Sequence, residues 1–257
     1  MKAKKLILVT NDDGIFAPGL ISLAKSASKF GDVVIVAPNS PQSGMGHAIT
    51  INQPIRLNKI HTFQDMDAYE CSGTPVDCVK LAKNVILKDR PISICLSGIN
   101  HGSNASINII YSGTMSAAME ASLENIPSIG FSLLDYSFEA DFEASSEYVC
   151  AIIERALTEG IQNCNLLNVN IPKLKRDEIK GIKVCKQAEG RWDEEFKEAK
   201  DPRNEPYYWL TGKFVSSDLG TDSDIWALEN GYISMVPSGH DLTVYKAIEA
   251  NKSFENL

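Results

Sequence analysis

The feature that most constrains the fold is a pair of apolar runs near the start of the chain, separated by one helix-length segment. Residues 5–10 (KLILVT) form an uninterrupted β-branched and leucine run, and residues 33–37 (VVIVA) form a second run that ends at Pro38. Such runs are typical of strands buried on both faces of a parallel sheet. Residues 19–30 carry apolar side chains at helical spacing, and Gly31 follows them. The chain therefore begins with a β-α-β unit, whose right-handed crossover places the helix on one face of the sheet.

The same alternation continues along the chain as far as residue 172. Helical patterns cover residues 75–85, 114–124 and 143–158, and strand patterns cover residues 92–96, 128–132 and 166–169. This alternation predicts an α/β fold with a doubly wound, mostly parallel sheet and helices on both faces.

Beyond Pro172 the pattern changes. Strands are predicted at 182–186, 207–209 and 232–236 and a helix at 223–229, while the polar stretch 189–205 is interpreted as a long loop or flexible arm. The length of 257 residues fits one large α/β domain. We predict a single domain over 1–257, with a core at 1–172 that carries the site. Residues 173–257 form a C-terminal extension that packs beside the sheet or exchanges with a partner subunit.

Composition limits the partners that the chain can bind. Lys and Arg number 25 against 33 Asp and Glu, so the net charge is −8 and a stable nucleic-acid complex is not expected. A small anionic ligand would need local compensation from a metal ion or from backbone N–H groups. The six cysteines form no C-x-x-C pair, and no apolar run is long enough for a signal-peptide core or a membrane span. These features predict a cytoplasmic protein with reduced thiols and no membrane partner.

Three polar loops directly follow predicted strands. They are Asn11-Asp12-Asp13-Gly14, residues 39–47 (NSPQSGMGH) and residues 97–104 (SGINHGSN). In open α/β sheets, ligands bind outside the carboxyl ends of the strands, where such loops converge. We therefore expect the functional site at this edge.

The neighbouring carboxylates of Asp12 and Asp13 are the strongest indication of metal chemistry. Adjacent like charges raise each other's pKa, so burying both groups requires a compensating cation. The available ligands are carboxylate, hydroxyl and amide oxygens, which favour Mg²⁺ or Mn²⁺ over Zn²⁺. The alternative is an ordinary turn whose side chains cap the helix that begins near Gly19 or bond to their own backbone, with Gly14 allowing the sharp bend.

The other candidate residues each have an ordinary structural interpretation. Ser112 and Thr114 begin a predicted helix and could present free N–H groups to a phosphate, but plain N-capping is equally consistent. Residues 72–75 (SGTP) begin another helix, where proline in the first turn favours capping alone. His47 and His101 lie in the site loops and could donate to a phosphate, although a loop histidine often has no chemical role. Tyr111 or Phe16 could stack on a base, but aromatic residues at a strand end more often pack.

Taken together, these blocks resemble the SurE family of survival-protein nucleotidases. The blocks LVTNDDGIFAPGL, VAPNSPQSGMGHAIT, SGTPVDCV, LSGINHGSN and YSGTMSAAMEA occur in order, and TDSDIWALENGYISMVP follows near the end. The resemblance implies a Rossmann-like fold, and a metal-dependent phosphatase activity on the 5′ or 3′ phosphate of nucleoside monophosphates. It implies Mg²⁺ or Mn²⁺ as the cofactor, and homodimers or homotetramers built through the C-terminal part.

The resemblance also implies roles for individual residues. The metal ligands would be Asp12, Asp13, Ser43 and Asn100, with Asp12 and Asp13 as catalytic residues. The substrate-binding residues would be Asn11, Gly44, Asn104, Ser112, Gly113 and Thr114. Two other functions remain open at this point: a module that binds nucleotides without hydrolysing them, and a sugar-nucleotide transferase that also uses a metal ion.

Overall fold

The computed structural model describes residues 4–63, 65–137, 139–218 and 220–256. The strands are β1 (Leu6–Thr10), β2 (Asp32–Pro38), β3 (Leu57–Ile60), β4 (Asp67–Cys71), β5 (Ile94–His101), β6 (Ser128–Leu133), β7 (Leu166–Ile171), β8 (Ile182–Val184), β9 (Gly190–Lys200), β10 (Pro206–Ser216) and β11 (Ile233–Ser238). The α-helices are α1 (Pro18–Ala27), α2 (Pro75–Leu81), α3 (Gly113–Leu123), α4 (Glu143–Glu159), α5 (Asp224–Glu229) and α6 (Tyr245–Ile248).

The main sheet has the strand order β3-β4-β2-β1-β5-β6-β7-β11-β8. The six strands from β4 to β7 in this order are parallel, whereas β3 runs antiparallel to β4 and β11 antiparallel to β7. The chain moves outward from β1 to β2 and β4 and then returns to β5 on the other side of β1. The expected α/β, Rossmann-like, doubly wound and mostly parallel fold is confirmed. The carboxyl ends of β1 and β5 lie at its switch point, where ligands bind in such sheets.

Two apolar layers hold the helices on the sheet. In β1, Ile7 and Val9 belong to a buried cluster that includes side chains of α1 and α4, whereas Leu6 and Leu8 join a cluster with α2 and α3. This alternation follows from the two-residue period of a strand, with every residue of β1 buried. A parallel strand covered on both faces therefore reads as a continuous apolar run.

The polar segment before α2 caps the N-terminus of that helix. Thr74 caps α2 by accepting a hydrogen bond from the backbone N–H of Asp77, whose side chain accepts one from the backbone N–H of Thr74. The capping interpretation of residues 72–75 is confirmed. The helix α2 continues into a π-helical turn over Ala82–Ile86.

Three sequence predictions need correction. The stretch 189–205 is not a loop, because β9 and β10 pair antiparallel from Gly190↔Ser216 to Pro206↔Lys200 and form a long hairpin. Most of its residues are exposed on both faces, so the strand lacks the apolar alternation by which buried strands are recognised. The strand predicted at 92–96 extends through His101, which removes residues 97–101 from the predicted loop. The short strands β3, at the edge of the sheet, and β4, between β3 and β2, were not predicted.

Residues after 172 contribute β11 and β8 to the main sheet. In the described part of the chain, no helix has both the length and the apolar character needed to cross a membrane.

Candidate active site

Two predicted site loops meet the end of β5 at the carboxyl edge of the sheet. The backbone N–H of Gln42 donates to the carbonyl oxygen of Asp12 at 2.7 Å. The backbone N–H of His101, the last residue of β5, lies 3.4 Å from Oδ2 of Asp13. The convergence expected from the sequence is therefore present around the two aspartates.

Asp12 is buried against the beginning of α3. Its side chain is 3% exposed, and Oδ1 accepts a hydrogen bond from the hydroxyl of Thr114. A Cβ at position 113 would lie 2.6 Å from the Cβ of Asp12, so only glycine lets the helix approach this closely. Burial raises the pKa of Asp12 to about 6, against the lowering effect of Thr114, and the charge of Asp13 adds to the increase.

Asp13 is half-buried beside Asp12. Desolvation raises the pKa of its carboxyl group, and the backbone N–H of His101 offsets part of that increase. Within residues 4–63, 65–137, 139–218 and 220–256, neither aspartate forms an ion pair with a Lys or Arg side chain. Two carboxylates thus lie in a poorly solvated place without a Lys or Arg partner among these residues, although the charge of His101 lowers the pKa of Asp13 in part.

The turn interpretation of residues 11–14 is correct for Asn11 and Gly14, which hydrogen-bond to each other. Asn11 donates through Nδ2 to the carbonyl oxygen of Gly14 at 3.0 Å, and the N–H of Gly14 donates to Oδ1 of Asn11 at 3.2 Å. Gly14 has φ +105°, a left-handed conformation that favours glycine. Asn11 therefore shapes the turn that presents Asp12 and Asp13, and its role in substrate binding stays a prediction.

The first turn of α3 faces this turn. Ser112 is the N-cap and accepts a hydrogen bond from the N–H of Met115 at 3.0 Å, so the capping interpretation is correct for its hydroxyl. Capping satisfies only some of the free N–H groups at a helix N-terminus. The backbone N–H groups of Gly113 and Thr114 belong to this first turn, where an anion is favoured.

Ser43 and Asn100 are each next in sequence to a residue that contacts one of the two aspartates. Ser43 is exposed and follows Gln42, whose N–H bonds to the backbone of Asp12. Asn100 is on β5 next to His101, beyond a bulge at which the register with β6 shifts. Its Nδ2 donates to the carbonyl oxygens of His101 and Gly102, at 3.2 and 2.9 Å, which leaves Oδ1 available as a ligand.

The remaining predicted substrate residues lie in different surroundings. Gly44 is exposed and next to Ser43. Asn104 is buried: its Nδ2 donates to the hydroxyl of Ser132 at 2.8 Å, and its backbone N–H donates to Oδ1 of Asn170 at 2.8 Å. A contact between Asn104 and a substrate stays a prediction.

His47 fastens the loop that carries Ser43. Its Nε2 lies 2.9 Å from Oε2 of Glu120 on α3, and Lys80 on α2 bonds to the other oxygen of that carboxylate. Burial alone would raise the pKa of Glu120, but the bonds from Lys80 and His47 outweigh it and lower the pKa below its usual range. His47 thus ties the loop to the helix whose first turn faces Asp12. Sequence reasoning missed this pairing, because 73 residues separate His47 from Glu120.

The donor set fits a hard divalent cation. No group of three or more His, Cys, Asp or Glu side chains that could hold a metal ion occurs among the described residues. A cation here would instead be held by two carboxylates together with hydroxyl and amide oxygens, which are the ligands that Mg²⁺ and Mn²⁺ prefer. Burial raises the pKa of both aspartates, so a bound cation would stabilise the ionised form of each carboxyl group.

Comparison with known proteins agrees with this geometry. The family model described as "Survival protein SurE" matches residues 7–194. The chain belongs to the SurE family. A protein named 5'-nucleotidase SurE from Flavobacterium psychrophilum is 56% identical over 254 residues, with 98% of each chain covered. A SurE nucleotidase from Bacteroides fragilis is 42% identical, again with 98% of each chain covered.

A solved SurE structure has the same fold. The crystal structure of the SurE protein from Aquifex aeolicus superposes with a TM-score of 0.84 at 40% identity, and the alignment covers 97% of this chain and 99% of that one. The similarity to the SurE family thus extends over almost the whole chain, including the hairpin that the sequence analysis interpreted as a loop.

Proposed function

We propose that this SurE chain is a metal-dependent phosphatase that hydrolyses nucleoside monophosphates to nucleoside and inorganic phosphate, as a 5′-nucleotidase. The observation that carries the proposal is a pair of neighbouring carboxylates beside the first turn of α3: Asp12 is buried, Asp13 is half-buried, and neither has a Lys or Arg partner among the described residues. The names of the relatives, 5'-nucleotidase SurE, support the same reaction class.

The proposed metal ligands are Asp12, Asp13, Ser43 and Asn100. SurE nucleotidases are metal-dependent in general, and Mg²⁺ or Mn²⁺ is proposed here from the all-oxygen ligand set. When bound, the ion supplies Lewis-acid polarisation of the phosphoryl group and helps to activate water.

The chain's own groups bind and orient the substrate. The backbone N–H groups of Gly113 and Thr114 lie in the first turn of α3, and we assign to them the donation of hydrogen bonds to a phosphoryl oxygen as negative charge develops. Thr114 also fixes the carboxylate of Asp12 through its hydroxyl. Asp13 is the more accessible of the two carboxylates, and we assign to it the orientation of the attacking water.

The proposal is tested by measuring phosphate release from adenosine 5′-monophosphate with Mg²⁺ or Mn²⁺ and with EDTA. Release that requires the metal supports the phosphatase. Tight binding of the nucleotide without release would indicate the nucleotide-sensing module, and release of a sugar from a sugar nucleotide without phosphate would indicate the transferase.

His47 is expected to act as a positioning residue in this reaction. His47→Ala removes the bond to Glu120 that holds the Ser43 loop, and it should lower kcat/KM by about tenfold, the lower end for groups that orient ligands. His47→Gln, which keeps a donor for Glu120, should recover most of the activity. Equal loss in both variants, or a loss of melting temperature that matches the loss of activity, would contradict the role.

The proposed location is the cytoplasm, which agrees with six free cysteines. We also propose that the chain forms a homodimer or homotetramer through its C-terminal part. The hairpin and the last segment expose several large apolar side chains, including Tyr207, Trp209, Leu242 and Phe254, and apolar surface of this kind marks interaction sites.

The oligomer is expected to be visible in solution. Sedimentation equilibrium should give two or four times the chain mass, and Trp209→Glu should shift the mass toward one chain because it places a charge in the apolar surface. Glu198→Gln, on the opposite face of the hairpin, is the matched control. A monomeric wild-type protein, or a Trp209→Glu variant with unchanged mass at low concentration, would contradict this arrangement.

A further inference from the structure

A cavity of about 560 Å³ lies between the β9–β10 hairpin and the loops of the candidate active site. The loops contribute Gly44 and Tyr111 to its lining, and the hairpin contributes Trp192, Glu194 and Leu210. Its volume is in the range of small-molecule sites, which are mostly apolar with a few polar groups. None of the residues assigned to the metal or to the reacting phosphate lines it except Gly44.

Two residues that line the cavity are next in sequence to predicted site residues. Tyr111 immediately precedes Ser112, the N-cap of α3, and its carbonyl oxygen accepts a hydrogen bond from the N–H of Gly46 at 3.1 Å. Gly44 is next to Ser43. A molecule whose phosphate lies at the first turn of α3 therefore has this cavity beside it.

Two aromatic side chains in the lining remain accessible. Tyr111 is 53% exposed and Trp192 is 40% exposed. The indole is held in place, because Nε1 donates to Oδ1 of Asn108 at 2.8 Å and the ring packs edge-to-face on Phe214 with centroids 6.0 Å apart. A fixed aromatic ring with an accessible surface suits stacking on another flat ring.

The position of the hairpin relative to Tyr111 depends on buried hydrogen bonds. Asp224 on α5 accepts from the backbone N–H of Ser106 at 2.8 Å and from that of Ala188 at 2.9 Å. The hydroxyl of Ser106 donates to the carbonyl oxygen of Ala188 at 2.8 Å. These bonds connect the residues just before the hairpin to the segment that precedes Tyr111. They therefore hold Trp192 and Tyr111 in a defined position relative to each other.

We propose that Tyr111 and Trp192 form the nucleobase subsite, in which the base of a nucleoside monophosphate stacks while its phosphate occupies the first turn of α3. Glu194 supplies a hydrogen-bond acceptor at the same cavity, suited to the ribose hydroxyls or to an amino group of the base. The subsite rests on the proposed function, because it assigns the non-reacting part of the same substrate.

The test compares a substrate that has a base with one that lacks it. Values of kcat and KM are measured for adenosine 5′-monophosphate and for ribose 5-phosphate with the wild type, Tyr111→Ala, Trp192→Ala and Trp192→Phe. Each alanine variant should raise KM for the nucleotide by about tenfold, within the range measured for loss of one stacking partner, with little change in kcat. The phenylalanine variant should recover most of that loss, and ribose 5-phosphate should react equally in all four proteins. Tyr245→Ala, which removes an exposed tyrosine of α6, is the control.

The possible outcomes separate the subsite from the reaction. Equal losses on both substrates, or a wild type that uses ribose 5-phosphate as efficiently as the nucleotide, would overturn the subsite and leave the phosphatase intact. A wild type that releases no phosphate from either substrate would overturn the proposed function. The subsite is then decided by calorimetric binding of adenosine 5′-monophosphate, whose affinity should fall in Tyr111→Ala and Trp192→Ala, and unchanged affinity would refute it.

Discussion

Asp13→Asn is expected to abolish phosphate release from nucleoside monophosphates, with turnover reduced by about a thousandfold or more. The substitution removes one of two carboxylate charges that we assign to the cation, and it removes the more accessible group that would orient water. Effects of this size follow when a charged group that stabilises the transition state is lost. Initial rates with saturating Mg²⁺ and Mn²⁺ measure it.

The fold should survive this change, because Asp13 is half-buried and asparagine has nearly the same shape. Circular dichroism and the melting temperature check this point. Asp89→Asn is a matched control, since Asp89 is exposed and precedes β5 at the opposite edge of the sheet. Normal turnover of Asp13→Asn at saturating metal would exclude the proposed role.

Asp12→Asn is expected to do the reverse of most substitutions at buried positions: it should stabilise the metal-free protein while removing activity. Burial raises the pKa of Asp12 from 3.8 to about 6, so keeping this group ionised at pH 7.5 costs about 3 kcal/mol of folding free energy. Asparagine removes the charge and keeps an oxygen that accepts the hydroxyl of Thr114. In EDTA, the melting temperature should rise by roughly 5 °C.

The stability difference between Asp12→Asn and the wild type is expected to depend on pH. The folded state binds the proton of Asp12 more tightly than the unfolded state, so metal-free wild type loses stability as pH rises from about 4 to about 6. The difference in melting temperature between variant and wild type should therefore be near zero below about pH 4, grow through this window, and stay constant above it. Equal melting temperatures at pH 7.5 in EDTA would contradict the proposed cost of burying the charge.

The sequence predicted the centre of the fold because its signals are local. The apolar run that becomes β1 is buried on both faces, and Asp12 and Asp13 follow it directly, so their place at the carboxyl edge is set by the strand alone. The helix starts at residues 74 and 112 carry capping side chains next to the backbone groups that they satisfy.

The hairpin could not be predicted in this way. Strand β9 (GRWDEEFKEAK) has charged residues at many positions on both faces, because neither face packs on the main sheet. The strand is stabilised by its pairing with β10, and the periodicity of a single segment does not predict which segment it pairs with. The extension of β5 to His101 was missed for a related reason, since the bulge before Asn100 breaks the apolar pattern while the strand pairing continues.

The contacts that complete the site depend on distant parts of the chain. His47 meets Glu120 only when the loop over residues 39–50 lies on α3, and Trp192 meets Asn108 only when the hairpin is folded. Residue types alone indicated a candidate role for His47 and for Tyr111 but could not name their partners. For the same reason, the bonds that engage Asn11 and Asn104 within the protein became visible only in the folded chain.

The central claim is that Asp12 and Asp13 together bind a divalent cation. Anomalous diffraction from crystals grown with Mn²⁺ tests it most directly, because the manganese signal locates the ion without reference to activity. The account predicts one strong peak within about 2.0–2.6 Å of oxygens from both carboxylates, with ligands from Ser43 and Asn100 completing the set. A map without a peak there at saturating Mn²⁺, or a peak bound to neither aspartate, would contradict it.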